Sequence, residues 1–351
     1  MIYLDYAAHT PADPAVLTEF YKTEQNFIAN PLSAHKAGQY ANVEFIRITQ
    51  KITNMLGADD AELIFTSGAT ESNRLAIKNI AQLSRHTGKH IIATCLEHPS
   101  VTNPLAELKE QGYEIELADI MPDGTVDLEH ITALMRRDTV LLCLPWVDSE
   151  LGAIQPIGEV VKLLEAYPNC KFHIDAAQAV GKIPVNFDGI DTLSFSPHKF
   201  YGICGTGGLL KAKDLIFNGH KGTPPLAFAA AMCKALELAD YSTNKISKMR
   251  QMVIDDLHDR VQINSPKDGI PHILNLSVAG IKGTDFQKTL SERGIYVSVK
   301  SACSAVGTPS RPVYAISRDK KRAMNSWRVS FSHLTTIQEI EKFISVCKEI
   351  I

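Results

Sequence analysis

Short apolar runs rich in β-branched residues alternate with longer amphipathic ones through the first two-thirds of the chain, and this alternation restricts the fold more than any other feature. The strand candidates are 63–66, 90–94, 114–117, 140–144, 171–175, 192–195 and 208–210. Several are apolar throughout, as strands covered on both faces are. Helical spacing fills the intervals near 36–56, 69–84, 98–111, 127–136 and 157–167. A strand-then-helix rhythm predicts an α/β fold with a mainly parallel, seven-stranded sheet flanked by helices. From about Thr223 the rhythm changes. Residues 224–262 read as one long helix, followed by a strand at 272–278, a helix near 284–293, strands at 295–298 and 327–331, and a closing helix. The spacing Thr336-Ile-Gln-Glu339 is that of a capping box opening the last helix. This part reads as a smaller α+β domain.

Bulk properties narrow the function. With 351 residues the chain is long enough for two domains. Its 45% hydrophobic and 21% charged residues argue against disorder. A net charge of only −3 argues against nucleic acid or an anionic membrane as the main partner. No apolar run is long enough for a transmembrane helix, and the start, Met-Ile-Tyr-Leu-Asp, lacks the pattern of a signal peptide. The seven cysteines are scattered without a CxxC, so neither a disulfide framework nor a metal site is expected, and the default compartment is a reducing cytoplasm.

Several stretches could carry chemistry. Lys199 stands in Ser-Phe-Ser-Pro-His-Lys-Phe-Tyr-Gly, after a strand and before a glycine run. An ε-amine attacks an aldehyde only when unprotonated, and burial or neighbouring cations favour that form. Ser196 and His198 beside it offer donors to an anion. Asp175 ends the strand 171–175, at the sheet edge where α/β proteins place ligands. It could equally be a turn residue or helix cap. Thr66-Ser-Gly-Ala-Thr-Glu-Ser-Asn73 follows a strand and opens a helix, so its free N–H groups could cradle a phosphate or simply cap the helix. His98 follows another strand at the same edge and titrates near neutrality. Cys303 lies in a small, polar stretch ending in Gly and Pro, unlike the apolar surroundings expected for Cys143 and Cys233. Arg328, inside a strand-like run, would want a carboxylate if buried.

Taken together these stretches resemble the cysteine desulfurases, pyridoxal-phosphate enzymes of the aminotransferase class V group and fold type I. Tyr3-Leu-Asp-Tyr-Ala-Ala-His-Thr-Pro11, Asn30-Pro-Leu-Ser-Ala-His35, Phe65-Thr-Ser-Gly-Ala-Thr-Glu-Ser-Asn73, Glu97-His98, His173-Ile-Asp-Ala-Ala-Gln178, Ser196-Pro-His-Lys199, Ser301-Ala-Cys-Ser304 and Arg328 with Thr335-Thr336 fall in family order over nearly the whole chain. The resemblance implies a large cofactor domain at 13–255 and a small domain made of 1–12 and 256–351. It implies that Lys199 holds pyridoxal 5'-phosphate covalently and moves the substrate α-proton. Asp175 would meet the ring nitrogen and Gln178 the ring hydroxyl. His98 would stack on the ring and handle protons. Ala69, Thr70, Ser196 and His198 would bind the phosphate, with Thr223 supplied by the other subunit of a homodimer. Arg328 and Asn30 would hold the substrate carboxylate, with Ser149 nearby. Cys303 would take sulfur from L-cysteine as a persulfide, leaving alanine, and pass it to an acceptor protein for iron–sulfur cluster assembly or tRNA thiolation. A loop rich in Ser, Gly and Pro suits a thiolate that must travel.

Departures from the family pattern are Tyr6, the pair Asp148-Ser149, and a region at 211–222 about ten residues shorter than usual. Lys221 there is the nearest stand-in for a family arginine. A selenocysteine lyase or another C–S lyase of the same cofactor class is an alternative reading, and a non-enzymatic partner-binding relative is a second.

Overall fold

The computed structural model describes residues 1–217, 222–300 and 307–351. The chain opens with a short strand, Ile2–Tyr3 (β1), and two helices, Pro14–Asn26 (α1) and Lys36–Met55 (α2). Strands and helices then alternate: Ala61–Thr66 (β2), Ala69–Leu83 (α3), His90–Thr94 (β3), Pro99–Glu110 (α4), Glu114–Ala118 (β4), Leu128–Leu134 (α5), Thr139–Pro145 (β5), Ile157–Leu164 (α6), Lys171–Asp175 (β6), Thr192–Phe195 (β7) and Gly207–Ala212 (β8). The later part comprises Leu226–Glu237 (α7), Asn244–Leu257 (α8), Gln262–Ile263 (β9), Ile273–Ser277 (β10), Gly283–Glu292 (α9), Ile295–Tyr296 (β11), Arg311–Ser317 (α10), Lys320–Met324 (α11), Ser326–Ser330 (β12) and Ile337–Ile350 (α12).

Strands β2 to β8 form one seven-stranded sheet in the order β2-β8-β7-β6-β5-β3-β4. All neighbours from β7 to β4 run parallel, and only β8 is antiparallel to its neighbours β7 and β2. The mainly parallel, seven-stranded sheet read from the sequence is therefore present. Its central strands β3 and β5 are buried at every residue, which is why their sequences do not alternate. Cys143 on β5 and Cys233 on α7 are buried, as expected of inert thiols.

The stretch 224–262 is not one helix. It breaks into α7 and α8, because the two halves serve different cores. Ala229, Met232 and Leu236 of α7 pack under the large sheet with Phe172 and Leu193. Ile246, Met249, Val253 and Leu257 of α8 join a second core with Phe286, Trp327 and Phe343. That second core covers a three-stranded antiparallel sheet in the order β12-β10-β9. The capping box at Thr336 and Glu339 is formed and starts α12. No described helix is long and apolar enough to cross a membrane.

The N-terminal segment bridges the two cores. Strand β1 pairs with β11, and Leu4 sits in the second core. A few residues on, Ala7 belongs to the first.

Candidate active site

The C-terminal ends of the parallel strands face a cleft of about 1150 Å³. Ala69, Thr70, His98, Ser149, Asp175, Gln178, Ser196, His198, Lys199 and Arg328 all line it. Ten candidates spread over some 260 positions of sequence thus converge on one space. Asn30 lies outside it, exposed in a turn where its side-chain oxygen accepts from Leu32 N. Thr223 is exposed and lines a different, apolar cleft with Leu32, Phe45 and Ile216. Cys303 and Lys221 lie outside the described residues. The two ends of the Cys303 segment are tied, however. Lys300 Nζ donates to Thr308 O (2.9 Å) and Oγ1 (2.7 Å). Downstream, Ser310 Oγ donates to Glu150 Oε2 (2.6 Å) and Arg311 Nη2 to Glu97 O (2.8 Å). Those partners adjoin Ser149 and His98, which line the cleft.

Lys199 ends a 3₁₀ turn, Pro197–Lys199, just after β7. Its ammonium donates to the carbonyls of Ala7 (3.0 Å) and Ala8 (2.7 Å). The N-terminal segment is strapped over this turn: Thr10 N donates to His198 O (2.9 Å), Asp13 N to Tyr201 O (2.8 Å), and Tyr201 N to Thr10 Oγ1 (2.7 Å). Tyr201 adopts φ 64°, a left-handed conformation costly for a side chain of this size. These bonds hold the lysine loop in that form.

Asp175, at the tip of β6, is held on both oxygens. Asn73 Nδ2 donates to Oδ2 (2.8 Å) and Ala177 N to Oδ1 (3.0 Å). Asn73 in turn accepts at Oδ1 from His173 Nε2 (3.0 Å), whose Nδ1 meets Thr192 Oγ1 (2.9 Å). An amide oxygen only accepts, so His173 carries its proton on Nε2. Complete burial pushes the His173 pKa down to about 3, keeping this relay neutral.

His98 caps α4, its Nδ1 accepting from Ser100 N (3.1 Å). The neutral ring then keeps its proton on Nε2. Burial lowers the His98 pKa, Asp175 acts against that shift, and Lys199 adds to it. His198 is pushed down to about 4, by burial first and by Lys199 next, and stacks on His9. Ser196 Oγ lies 2.9 Å from His198 Nδ1.

Helix α3 begins at Ala69 with no side-chain cap on its first turn, and Gly68, Ala69 and Thr70 line the cleft. Uncapped N–H groups at a helix start suit a phosphate. The cleft is therefore lined by an anion cradle, a carboxylate and an amine, a donor set that fits pyridoxal 5'-phosphate.

Arg328 on β12 is 1% exposed. The carboxylate it finds is Asp5, at 2.9 Å from Nη2, while Nη1 donates to Ser149 O (2.7 Å). Its Nε has no partner among the described residues. Sequence reading missed Asp5, Asn73 and His173 as site residues. For the last two a signal existed: Asn73 closes the motif after β2, and His173 lies two residues before Asp175, on the same face of the strand.

The class V aminotransferase family model matches residues 2–220 and 217–343. The cysteine desulfurase IscS of Dictyoglomus turgidum is 35% identical over 372 aligned positions, covering 100% of this chain and 94% of that protein. The chain belongs to the cysteine desulfurase family of class V aminotransferases. The human cysteine desulfurase is another member, 33% identical over 99% of this chain and 80% of its own length. Among solved structures, a NifS-like protein superposes with a TM-score of 0.90 at 29% identity, covering 99% of this chain and 98% of its own. SspA, solved in complex with cysteine, gives 0.82 at 28%, covering 94% of this chain and 99% of its own.

Proposed function

We propose that this chain is a pyridoxal-phosphate-dependent L-cysteine desulfurase, converting L-cysteine to L-alanine and passing the sulfur on as a persulfide of Cys303. The observation that carries this reading is the convergence of Lys199, Asp175 and the open first turn of α3 on one cleft, in a chain that matches cysteine desulfurases end to end.

When bound, the cofactor supplies an aldehyde for the Lys199 amine and an electron-accepting ring that stabilises charge at the substrate's α-carbon. The chain's own residues do the rest. Asp175, fixed by Asn73 and Ala177, presents its carboxylate to the ring nitrogen. Gln178, whose amide is held by Ala7 O and Lys182, would meet the ring hydroxyl. Ala69, Thr70, Ser196 and His198 hold the phosphate, with Thr223 of a second copy completing the set. Arg328 receives the substrate carboxylate, with Ser149 beside it, while Asn30, outside the cleft, takes no part. Its guanidinium is already oriented by Asp5 and Ser149 O, which fixes the plane in which a second carboxylate can be met. Lys199, held near Ala7 O and Ala8 O, moves the α-proton. His98, neutral with its proton on Nε2, serves as proton donor and acceptor at the substrate. Cys303 as thiolate takes the sulfur. The balance is one cysteine plus one thiol giving one alanine plus one persulfide: the substrate C–S bond breaks, an S–S bond to Cys303 forms, the transferred sulfur keeps its own hydrogen, and the proton lost from the Cys303 thiol is matched by the one gained at the alanine methyl. The persulfide would serve iron–sulfur cluster assembly or another thiolation route.

The dimer is part of this reading. The second cleft, with Thr223, Leu32, Phe45 and Ile216, is apolar and open. Leu32 is 68% and Ile216 73% exposed. Large apolar side chains clustered in this way mark an association surface.

Cys303→Ala tests the assignment. It should abolish sulfide and alanine production from cysteine while the cofactor's visible absorbance, roughly 400 nm, stays. Full activity in that variant would refute it.

A further inference from the structure

Lys199 is a wall shared by two clefts. On its far side a second cleft of about 1050 Å³ opens between α1 and α7 on one hand and the second core on the other. Its lining includes several basic groups. Lys182 is 7% exposed, and among the described residues its ammonium has one side-chain partner, the uncharged Gln178 Oε1. His272 is largely buried, and its Nδ1 has no hydrogen-bond partner among the described residues. Burial pushes Lys182 well below the ordinary lysine range, and the charges of Lys199 and Arg328 push it further. Burial drives His272 down to about 3, with Lys182 and His333 adding to it. No carboxylate opposes either shift. The two that line the cleft, Asp13 and Asp240, act on His333 instead. The remaining wall is apolar, with Val16, Phe200, Leu238 and Phe331.

Lys182 and His272 line one cleft, and a buried amine with further cations around it is an arrangement an anion relieves. The apolar wall next to it selects among anions. We propose that this second cleft binds a small carboxylate with an apolar tail, the carboxylate at Lys182 Nζ beside His272, and the tail against Leu238 and Phe331. The site is separate from the cofactor cleft and from Arg328, and the proposal stands whatever reaction Lys199 performs. Because Lys199 borders both spaces, an occupant would place negative charge behind it.

Butyrate is the probe, titrated into the protein as purified and followed by calorimetry and saturation-transfer NMR at constant ionic strength. Saturable binding is expected, with a Kd on the order of 1 mM. Lys182→Met should weaken it by about tenfold or more, the loss of one charge-assisted contact. Leu238→Trp should also block it by filling the tail space. Leu238 is 44% exposed, so this second variant is compatible with folding. Acetate should bind more weakly than butyrate. Absence of saturable binding, binding unchanged in Leu238→Trp, or inorganic phosphate competing more tightly than butyrate would each overturn the proposal.

Discussion

At Asp148 two backbone amides, those of Glu150 and Leu151, donate to one carboxylate oxygen, while the other oxygen, Oδ1, is buried with no partner among the described residues. Burial first and Glu150 next raise its pKa from 3.8 to about 7. The folded protein therefore holds a proton here that the unfolded chain releases, and stability falls as pH rises from about 4 to about 7. Asp148→Asn removes that dependence and keeps an acceptor for both amides. Relative to the parent it should gain stability across this window, reaching on the order of 1–3 kcal/mol above pH 7. Urea midpoints at pH 5 and pH 8 check this; a variant whose relative stability falls with pH contradicts it. Other single residues were legible to different degrees. Lys199 stood out because its surroundings are unusual for a surface lysine, whereas Asp175 alone read as well as a turn residue or helix cap. Asp5 did not, since its partner Arg328 lies 323 positions away and ordinary turn chemistry accounts for an Asp near the N-terminus.

At the scale of elements, the phosphate cradle depends on how closely β8 approaches the start of α3. A Cβ on Gly207 would lie 2.5 Å from the Gly68 backbone, with no flexible side chain to yield. Gly207→Ala should push α3's first turn aside and weaken pyridoxal-phosphate binding by about tenfold or more, while the core remains folded. A fluorescence titration of cofactor into apoprotein reads this; unchanged affinity would show that the turn does not hold the phosphate. The seven strands were visible in the sequence because burial on both faces leaves an apolar signature. The split between α7 and α8 was not. The segment 226–262 contains neither Gly nor Pro, so its helical pattern reads as continuous. The break comes from tertiary demand: each half packs on a different core, and Asp240 turns the chain by accepting from Ser242 N (2.8 Å). Helix α1 escaped notice because Asp13 and Pro14, its cap and first residue, follow a turn-like motif.

For the whole molecule, the N-terminal segment couples the lysine loop to the second core, and Leu32 and Ile216 are exposed on the face where we propose a second copy docks. Sedimentation equilibrium should give twice the 38.6 kDa chain mass, and a charged substitution at Ile216 should shift the balance toward single chains. A parent protein that sediments as one chain at micromolar concentration contradicts the dimer. The proposed desulfurase activity rests on Lys199 carrying the cofactor. The direct measurement is borohydride reduction of the cofactor-loaded protein, followed by proteolysis and mass spectrometry of the labelled peptide. The label should fall on Lys199 alone. A label on Lys182 or any other residue, or none at all in protein that has bound the cofactor, would contradict the account.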